Sequence, residues 1–218
     1  SIVASLLVAG SISWLYYSDR LVELPLGVFG IAIATVILPK LSERFSKNSM
    51  EEYSEMIKKA LKIAIVFSLP AMFGLLVLTE HIISTLFQYG NFKITDTLMS
   101  SLSLLTYSVG LPAFILMKVL LTGFFSRQDT LTPVKYGAVA VMFNITMNLS
   151  VVFYYMNNPF QGAHALLALA TSLSAWLQVI LLYRRLKTEG IVADNCLINR
   201  DFLKSFISCI FMSLLLIF

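Results

Sequence analysis

The stretch WLYYSDRLVELPLGVFG, residues 14 to 30, decides how the chain is read. Its aromatic and aliphatic run belongs to a membrane span, yet Asp19, Arg20 and Glu23 sit inside it. A charge at bilayer depth is costly and is tolerated when it faces a protein interior or a watery cavity, so the segment reads as a functional wall rather than a lipid anchor.

The remaining composition agrees with a membrane setting. Of 218 residues, 58% are hydrophobic and 13% charged, with a mean hydropathy of +0.82, against about a quarter charged in a soluble domain. The expected fold is therefore all-α, a polytopic transmembrane helical bundle. A net charge of +4 invites a nucleic-acid partner. The basic residues fall in short loops between apolar runs, however, which points to membrane orientation and no nucleic acid. Cys196 and Cys209 lack any metal or redox spacing; a polar loop and a lipid-facing helix suit them.

Outward from the opening stretch, residues 1 to 9 read as the tail of one helix, so the chain is expected to begin inside a span, and Gly10 with Ser11 reads as a turn. A second helix of about 11 to 39 is long enough to require tilt or bending, with Pro25 the expected bend. Lys40 to Lys62 is charged with apolar residues at helical spacing and reads as an interfacial amphipathic connector (about 40–60) feeding a span of about 60 to 80. HIISTLFQYGNF is expected as a short helix at a hairpin tip, ending at Gly90, with Thr95 and Asp96 as caps for a fourth span of about 97 to 124. Further spans are expected at about 134–156 and 163–183. A last apolar run, about 202 to Phe218, follows a hydrophilic loop.

Charge counting orients these spans. The segments 40–62, 126–135 and 184–204 hold six, two and five of the Lys and Arg residues, 13 of 16 in all, whereas the opposite loops hold only Lys93. Because Lys and Arg in short loops favour the cytoplasmic side, the second, fourth and sixth helices run toward the cytoplasm.

The residues able to carry chemistry are few. Ser13, Tyr16 or Tyr17, Arg20, Glu23, Gly27, Gly30 and Ala34 recur at three or four residues and are expected on one helix face. A guanidinium in a low-dielectric cavity suits bidentate binding of phosphate or carboxylate, and Glu23, one turn on, pairs with Arg20 when substrate is absent; a purely structural ion pair is the plain alternative. Asp19 points about 100° away and suits helix packing or an outward contact. Lys118, in the fourth span, either faces inward beside Arg20 or snorkels to the interface. Tyr16, Arg20, Glu23, Asp19 and Lys118 are the candidate substrate-binding residues. Asn144 with Asn148, and Ser172 with Gln178, are expected to make interhelical hydrogen bonds. His81 and His164 lack partner ligands, so no metal and no cofactor are expected. No phosphate-binding glycine loop, zinc-protease or hydrolase motif is present, which favours a transporter over an enzyme.

Three ordered segments, WLYYSDRLVELPLGVFGIAIATVILPKLS, LFQYGNF and GFFSRQDTLTPVK, resemble the MurJ (MviN) lipid II flippases of the multidrug/oligosaccharidyl-lipid/polysaccharide exporter superfamily. The resemblance runs from about residue 1 to 190. It implies a MOP/MATE-like C-terminal lobe, from the end of the seventh helix through the thirteenth, with residues 1–190 as the bundle and 191–218 as a loop and the start of a peripheral helix. It implies movement of the peptidoglycan precursor lipid II from the cytoplasmic to the periplasmic leaflet of a bacterial inner membrane by alternating access. Arg20 matches an arginine the family needs, and Glu23 an acidic residue near its cavity. The implied partners are lipid II, membrane lipids and an N-terminal lobe. The rival readings are an ion-coupled organic-cation exporter, which would place carboxylates where Arg20 stands, and a non-transporting scaffold for cell-wall enzymes.

Overall fold

The computed structural model describes residues 2–192 and 200–217, with side chains for 4–192 and 204–216. Among these residues there are helices and no strand. A 3-10 turn, Ile2–Leu6, leads to Gly10, whose φ of +101° reverses the chain. Helix α1 (Ser11–Pro25) passes through a π-helical segment, Leu26–Ile31, directly into α2 (Ala32–Ser46). Pro25 has no N–H to give to the preceding turn. The helix answers by widening over the next six residues, the π-type insertion that often marks a functional segment.

Helix α3 (Met50–Val77) is one continuous element. The expected connector runs into the third span without a break: the charged stretch from Glu51 to Lys62 is the first half of α3, and the apolar stretch begins near residue 60. Tyr53, Ile57, Ala60, Leu61, Ala64, Ile65, Ser68 and Leu69 form one buried stripe that crosses the supposed boundary without a break, as a single amphipathic helix requires. A short α4 (Thr79–Phe87) forms the hairpin tip, and α5 (Ile94–Phe125), α6 (Leu131–Asn157), α7 (Ala163–Thr188) and α8 (Arg200–Ile217) follow. Among the described residues five helices are long and apolar enough to cross a membrane, α1 and α2 together counting as one.

Both ends of the bundle are punctuated by backbone geometry. At the basic end, α2, α5 and α7 close alike: Ser49 N–H donates to Arg44 O, Asp129 N–H to Phe124 O and Ile191 N–H to Leu186 O. The residues before these donors, Asn48, Gln128 and Gly190, all have positive φ. This Schellman closure satisfies carbonyls the helix leaves orphaned. The negative ends of three helix dipoles meet the basic loops there, a favourable pairing.

Helix α5 is the axis of the bundle. Its Leu104, Leu111, Ile115, Leu120 and Phe124 are fully or almost fully buried against Tyr53, Ile57 and Leu61 of α3 and Leu182 and Leu186 of α7. Polar groups tie neighbours to its backbone. Ser18 Oγ donates to Ser100 O at 2.7 Å, Ser172 Oγ to Thr106 O at 2.8 Å and Trp176 Nε1 to Val109 O at 3.0 Å. Hydrogen bonds of this kind and close small-residue contacts hold helices together where lipid tails compete with apolar packing. The interhelical role expected of Asn144 is also met, since its Nδ2 donates to Thr171 Oγ1 of α7 at 3.4 Å, whereas the bond Asn148 makes, from Nδ2 to Asn144 Oδ1 at 2.9 Å, stays within α6.

Helix α6 lies at the periphery, with Met142, Phe153 and Met156 about 70% exposed. Helix α8 packs on α3, where Phe206 and Phe73 meet edge to face at 5.6 Å. Cys209 is buried in that contact rather than lipid-facing, on the side of α8 that carries the partly buried Phe206, Met212 and Ser213, while Ile207, Phe211 and Leu215 stay exposed. Cys196 lies outside the described residues.

Candidate functional site

The geometry starts from α1. Leu15, Ser18, Leu21 and Val22 are buried, which seats one side of the helix on α5. The other side carries Tyr16, Asp19, Arg20 and Glu23, all exposed. Arg20 NH1 meets Glu23 Oε2 at 2.7 Å, and the Arg20 guanidinium lies over the Tyr16 ring at 4.9 Å. The Arg20 and Glu23 side chains remain 57% and 49% exposed, so the pair is held ready at an open surface rather than locked into packing. Leu24 at the end of α1, Val28 and Ile31 in the π-helical segment and Val36 in α2 are also exposed. A charged pair set in such an apolar surface at bilayer depth is stable where water or protein, not lipid, lies opposite.

The single face expected from Ser13 to Ala34 does not extend through the whole stretch. Arg20 is exposed, whereas Gly30 is buried. A Cβ added at Gly30 would stand 3.6 Å from Lys118 Cγ and 3.7 Å from Ile115 Cα. The π-helical segment between them rotates the helix beyond it, and Gly30 turns inward to let α5 approach. Lys118 consequently lays its half-buried stem against Gly30, ten residues or about 15 Å along the axis from Arg20. Arg20, Glu23 and Tyr16 thus form one contiguous group, and Lys118 stands apart from it toward the basic end. Asp19 neighbours Tyr107 of α5 electrostatically, on the flank of the Arg20 stripe.

A second arrangement lies at the opposite end from the basic loops. Trp14 Nε1 donates to Asp96 Oδ1 at 2.8 Å, and the Lys93 backbone N–H donates to Asp96 Oδ2 at 2.8 Å. Asp96 therefore caps α5, as its position predicts, and also pins α1 to it. The Trp14 ring packs on His164 at 5.0 Å between centroids, and His164 Nε2 lies 2.9 Å from Met99 O. His164 is 2% exposed, a buried strut joining α7 to α5. Among the described residues no group of three or more His, Cys, Asp and Glu side chains is placed to hold a metal ion.

At the basic end Tyr53 Oη donates to Gly123 O, and Arg127 is nearly enclosed. The Arg127 side chain is 12% exposed, donates from Nε to Gly123 O at 3.1 Å and pairs through NH1 with Glu189 Oε2 at 2.6 Å. Glu189 also holds Arg185 Nε at 2.9 Å. This clamp fastens the α5–α6 loop to the end of α7. Within the same loop, the hydroxyl and backbone N–H of Thr132 hold the Asp129 carboxyl below its ordinary range.

Comparison with known proteins places these features in a family. The family model described as "Lipid II flippase MurJ" matches residues 1–218. The chain belongs to the MurJ family. A probable lipid II flippase MurJ of Vibrio cholerae is 47% identical over 191 residues, covering 88% of this chain and 35% of that protein. One of Buchnera aphidicola subsp. Baizongia pistaciae is 36% identical over 216 residues, covering 99% of this chain and 41% of its own length. A solved lipid II flippase MurJ in an inward closed conformation superposes with a TM-score of 0.81 at 29% identity, covering 98% of this chain and 42% of that one. The chain thus spans well under half the length of these MurJ relatives. Sequence reasoning missed the link from Trp14 to Asp96 and His164 in this MurJ-family chain, because those residues lie 82 and 150 positions from Trp14 and no local pattern joins them.

Proposed function

We propose that this chain forms one wall of the substrate cavity of a lipid II flippase, a transporter of the bacterial cytoplasmic (inner) membrane that serves cell-wall synthesis. The observation that carries the reading is the open Arg20–Glu23 pair, 2.7 Å apart on an otherwise apolar stripe. Arg20 binds the lipid-linked diphosphate through its planar fork, which matches phosphate oxygens in two places. Glu23 holds the guanidinium in position and neutralises it between turnovers. Asp19 flanks this contact as a secondary group, Lys118 is a separate, secondary cation farther along toward the basic end, and Tyr16 supports the guanidinium from its ring face. Residues 1–190 act as the lobe that carries this wall, and 191–218 as a loop and peripheral helix. The facing wall belongs to an N-terminal lobe. Family membership supports this reading over an organic-cation exporter or a scaffold, and the exposed guanidinium is the wrong sign for a cation site.

The test is flipping of fluorescent lipid II in proteoliposomes containing the protein at its full natural length. Potential-dependent or passive flipping above protein-free vesicles is expected. Inactivity toward lipid II, with export of an organic cation by the same preparation, would overturn the proposal.

A further inference from the structure

One groove of the bundle turns away from the Arg20 wall and is left open by its own packing. It encloses about 450 Å³ between the end of α3, the start of α4 and the first turns of α5, within the range of small-molecule sites. Its floor is apolar: Leu76 and Val77 come from α3, and Leu98, Leu102 and Leu105 from α5. Two of its polar lining groups are spent on their own helices, since Thr79 Oγ1 donates to Leu76 O at 3.1 Å and Ser101 Oγ to Thr97 O at 2.7 Å. Glu80 and His81, at the head of α4, are exposed, and neither side chain has a hydrogen-bond or ion-pair partner among the described residues. They form an uncommitted polar rim on an apolar trough.

Helix geometry fixes which way the groove looks. Ser100, whose carbonyl accepts from Ser18 Oγ, marks the side of α5 that carries α1. At 3.6 residues per turn, Leu98 and Leu102, two residues to either side, stand about 160° round the helix from it. The groove therefore opens toward lipid and not toward the lobe that faces Arg20. Depth agrees with this. Leu98, Leu102 and Leu105 follow Ile94, where α5 begins, by about 6, 12 and 17 Å along the axis. The rim thus stands at headgroup level, and the floor runs through one half of a hydrocarbon core about 30 Å thick.

Charge selects the occupant. Glu80 carries the one formal charge among the lining residues, which disfavours an anionic headgroup and suits a cation with N–H groups to give. A primary ammonium supplies three such donors and a quaternary ammonium none. His81 offers a ring N–H to an acceptor oxygen in any of its ordinary protonation states. Together they match a zwitterion that carries an ammonium close to a phosphate. We propose that the groove docks phosphatidylethanolamine from the leaflet opposite the basic loops. One acyl chain lies along Leu98, Leu102 and Leu105, the ammonium donates to Glu80, and the phosphate accepts from the His81 ring. The site stands independently of what Arg20 binds.

The test titrates the protein at its full natural length, in detergent, with palmitoyl-oleoyl phosphatidylethanolamine and with phosphatidylcholine of the same chains. Native mass spectrometry reads the Kd of the first lipid bound. The ethanolamine lipid is expected to bind about 5-fold more tightly, the scale of one exposed charge pair. In Glu80→Gln that gap should close while the phosphatidylcholine Kd stays put. His81→Ala removes the donor to the phosphate, and Leu102→Trp fills the groove from an exposed position; each should weaken both lipids. An unchanged melting temperature verifies folding, and Leu98→Trp, on the same exposed stripe, replaces Leu102→Trp if that variant fails it. No gap in the wild type, a gap that survives Glu80→Gln, or wild-type binding of both lipids by His81→Ala or by the tryptophan variant overturns the proposal. The last of these is also the result expected if another part of the full-length protein covers the groove.

Discussion

Replacing Gly110 by alanine adds one methyl group where α5 and α7 cross, and the structure gives the size of the penalty. A Cβ at Gly110 would stand 2.5 Å from Ser172 Oγ, 2.8 Å from Ser172 Cβ and 2.9 Å from Ser172 Cα. Ordinary contact between carbons is about 3.5 to 4.0 Å, and the third atom is backbone, so no rotamer change clears it. The two helices must part by roughly 0.6 to 1 Å, which costs about 1–3 kcal/mol on the scale of overpacked cores. The 2.8 Å hydrogen bond from Ser172 Oγ to Thr106 O strains with it, adding about 0.6 kcal/mol in a membrane setting. Better helix propensity of alanine offsets up to about 1 kcal/mol. The net loss should lower the melting temperature of the detergent-solubilised protein by about 3–10 °C. Gly74→Ala is the matched control. Nothing lies within 4 Å of its added Cβ, so the propensity gain stands alone and melting should rise by about 2–4 °C. Ser172→Gly introduced beside Gly110→Ala should restore part of the loss, because only the clash with the backbone at position 172 then remains. If Gly110→Ala melts at or above Gly74→Ala, the close α5–α7 crossing is wrong.

Other consequences are open to direct measurement. Trp14→Phe keeps an aromatic ring but removes the N–H held by Asp96 together with part of the indole's volume, so thermal stability should fall by at least about 1–3 kcal/mol as a partly buried carboxylate oxygen loses its partner; an unchanged melting curve would refute the pin. Gln128 holds φ at +60° while its N–H donates to Phe125 O at 2.9 Å; Gln128→Gly relieves a left-handed conformation that costs an L-residue about 1–2 kcal/mol and should raise the melting temperature, whereas a fall would contradict the assigned turn. The Asp129 carboxyl is held below its ordinary value of 3.8 by the Thr132 hydroxyl first and the Thr132 N–H second. Its folded pKa is depressed, so its stabilisation is present above about 3.9 and fades as pH drops through the lower folded value. The melting difference between wild type and Asp129→Asn should therefore be constant from pH 7 to 5 and shrink below pH 4; a difference that grows on acidification would reverse the sign.

Much of this fold is written in local pattern. The apolar runs, Gly10, Gly90 and Gly162 at one end and the clustered Lys and Arg at the other mark helices and turns close to where they occur. Asp96 also sits where a cap is expected. What local pattern misstates is continuity. The amphipathic stretch from Glu51 to Lys62 and the apolar one after it show no boundary in the structure, because the stripe from Tyr53 to Leu69 keeps helical period throughout one helix. The π-helical segment at Leu26–Ile31 has no signature beyond Pro25 before it, and it lies between exposed Arg20 and buried Gly30. The Arg20–Glu23 pair was legible because its partners stand three residues apart. The Trp14–Asp96–His164 assembly was not, since it exists only after three helices have packed.

The central claim is that Arg20 is the diphosphate contact of a flippase, and the most direct measurement is lipid II flipping by full-length protein reconstituted with Arg20, Arg20→Lys or Arg20→Ala. Lysine retains the charge without the bidentate fork. Flipping reduced in Arg20→Lys and abolished in Arg20→Ala, at equal protein content in the vesicles, is the predicted result. Flipping by Arg20→Ala at the wild-type rate would contradict it.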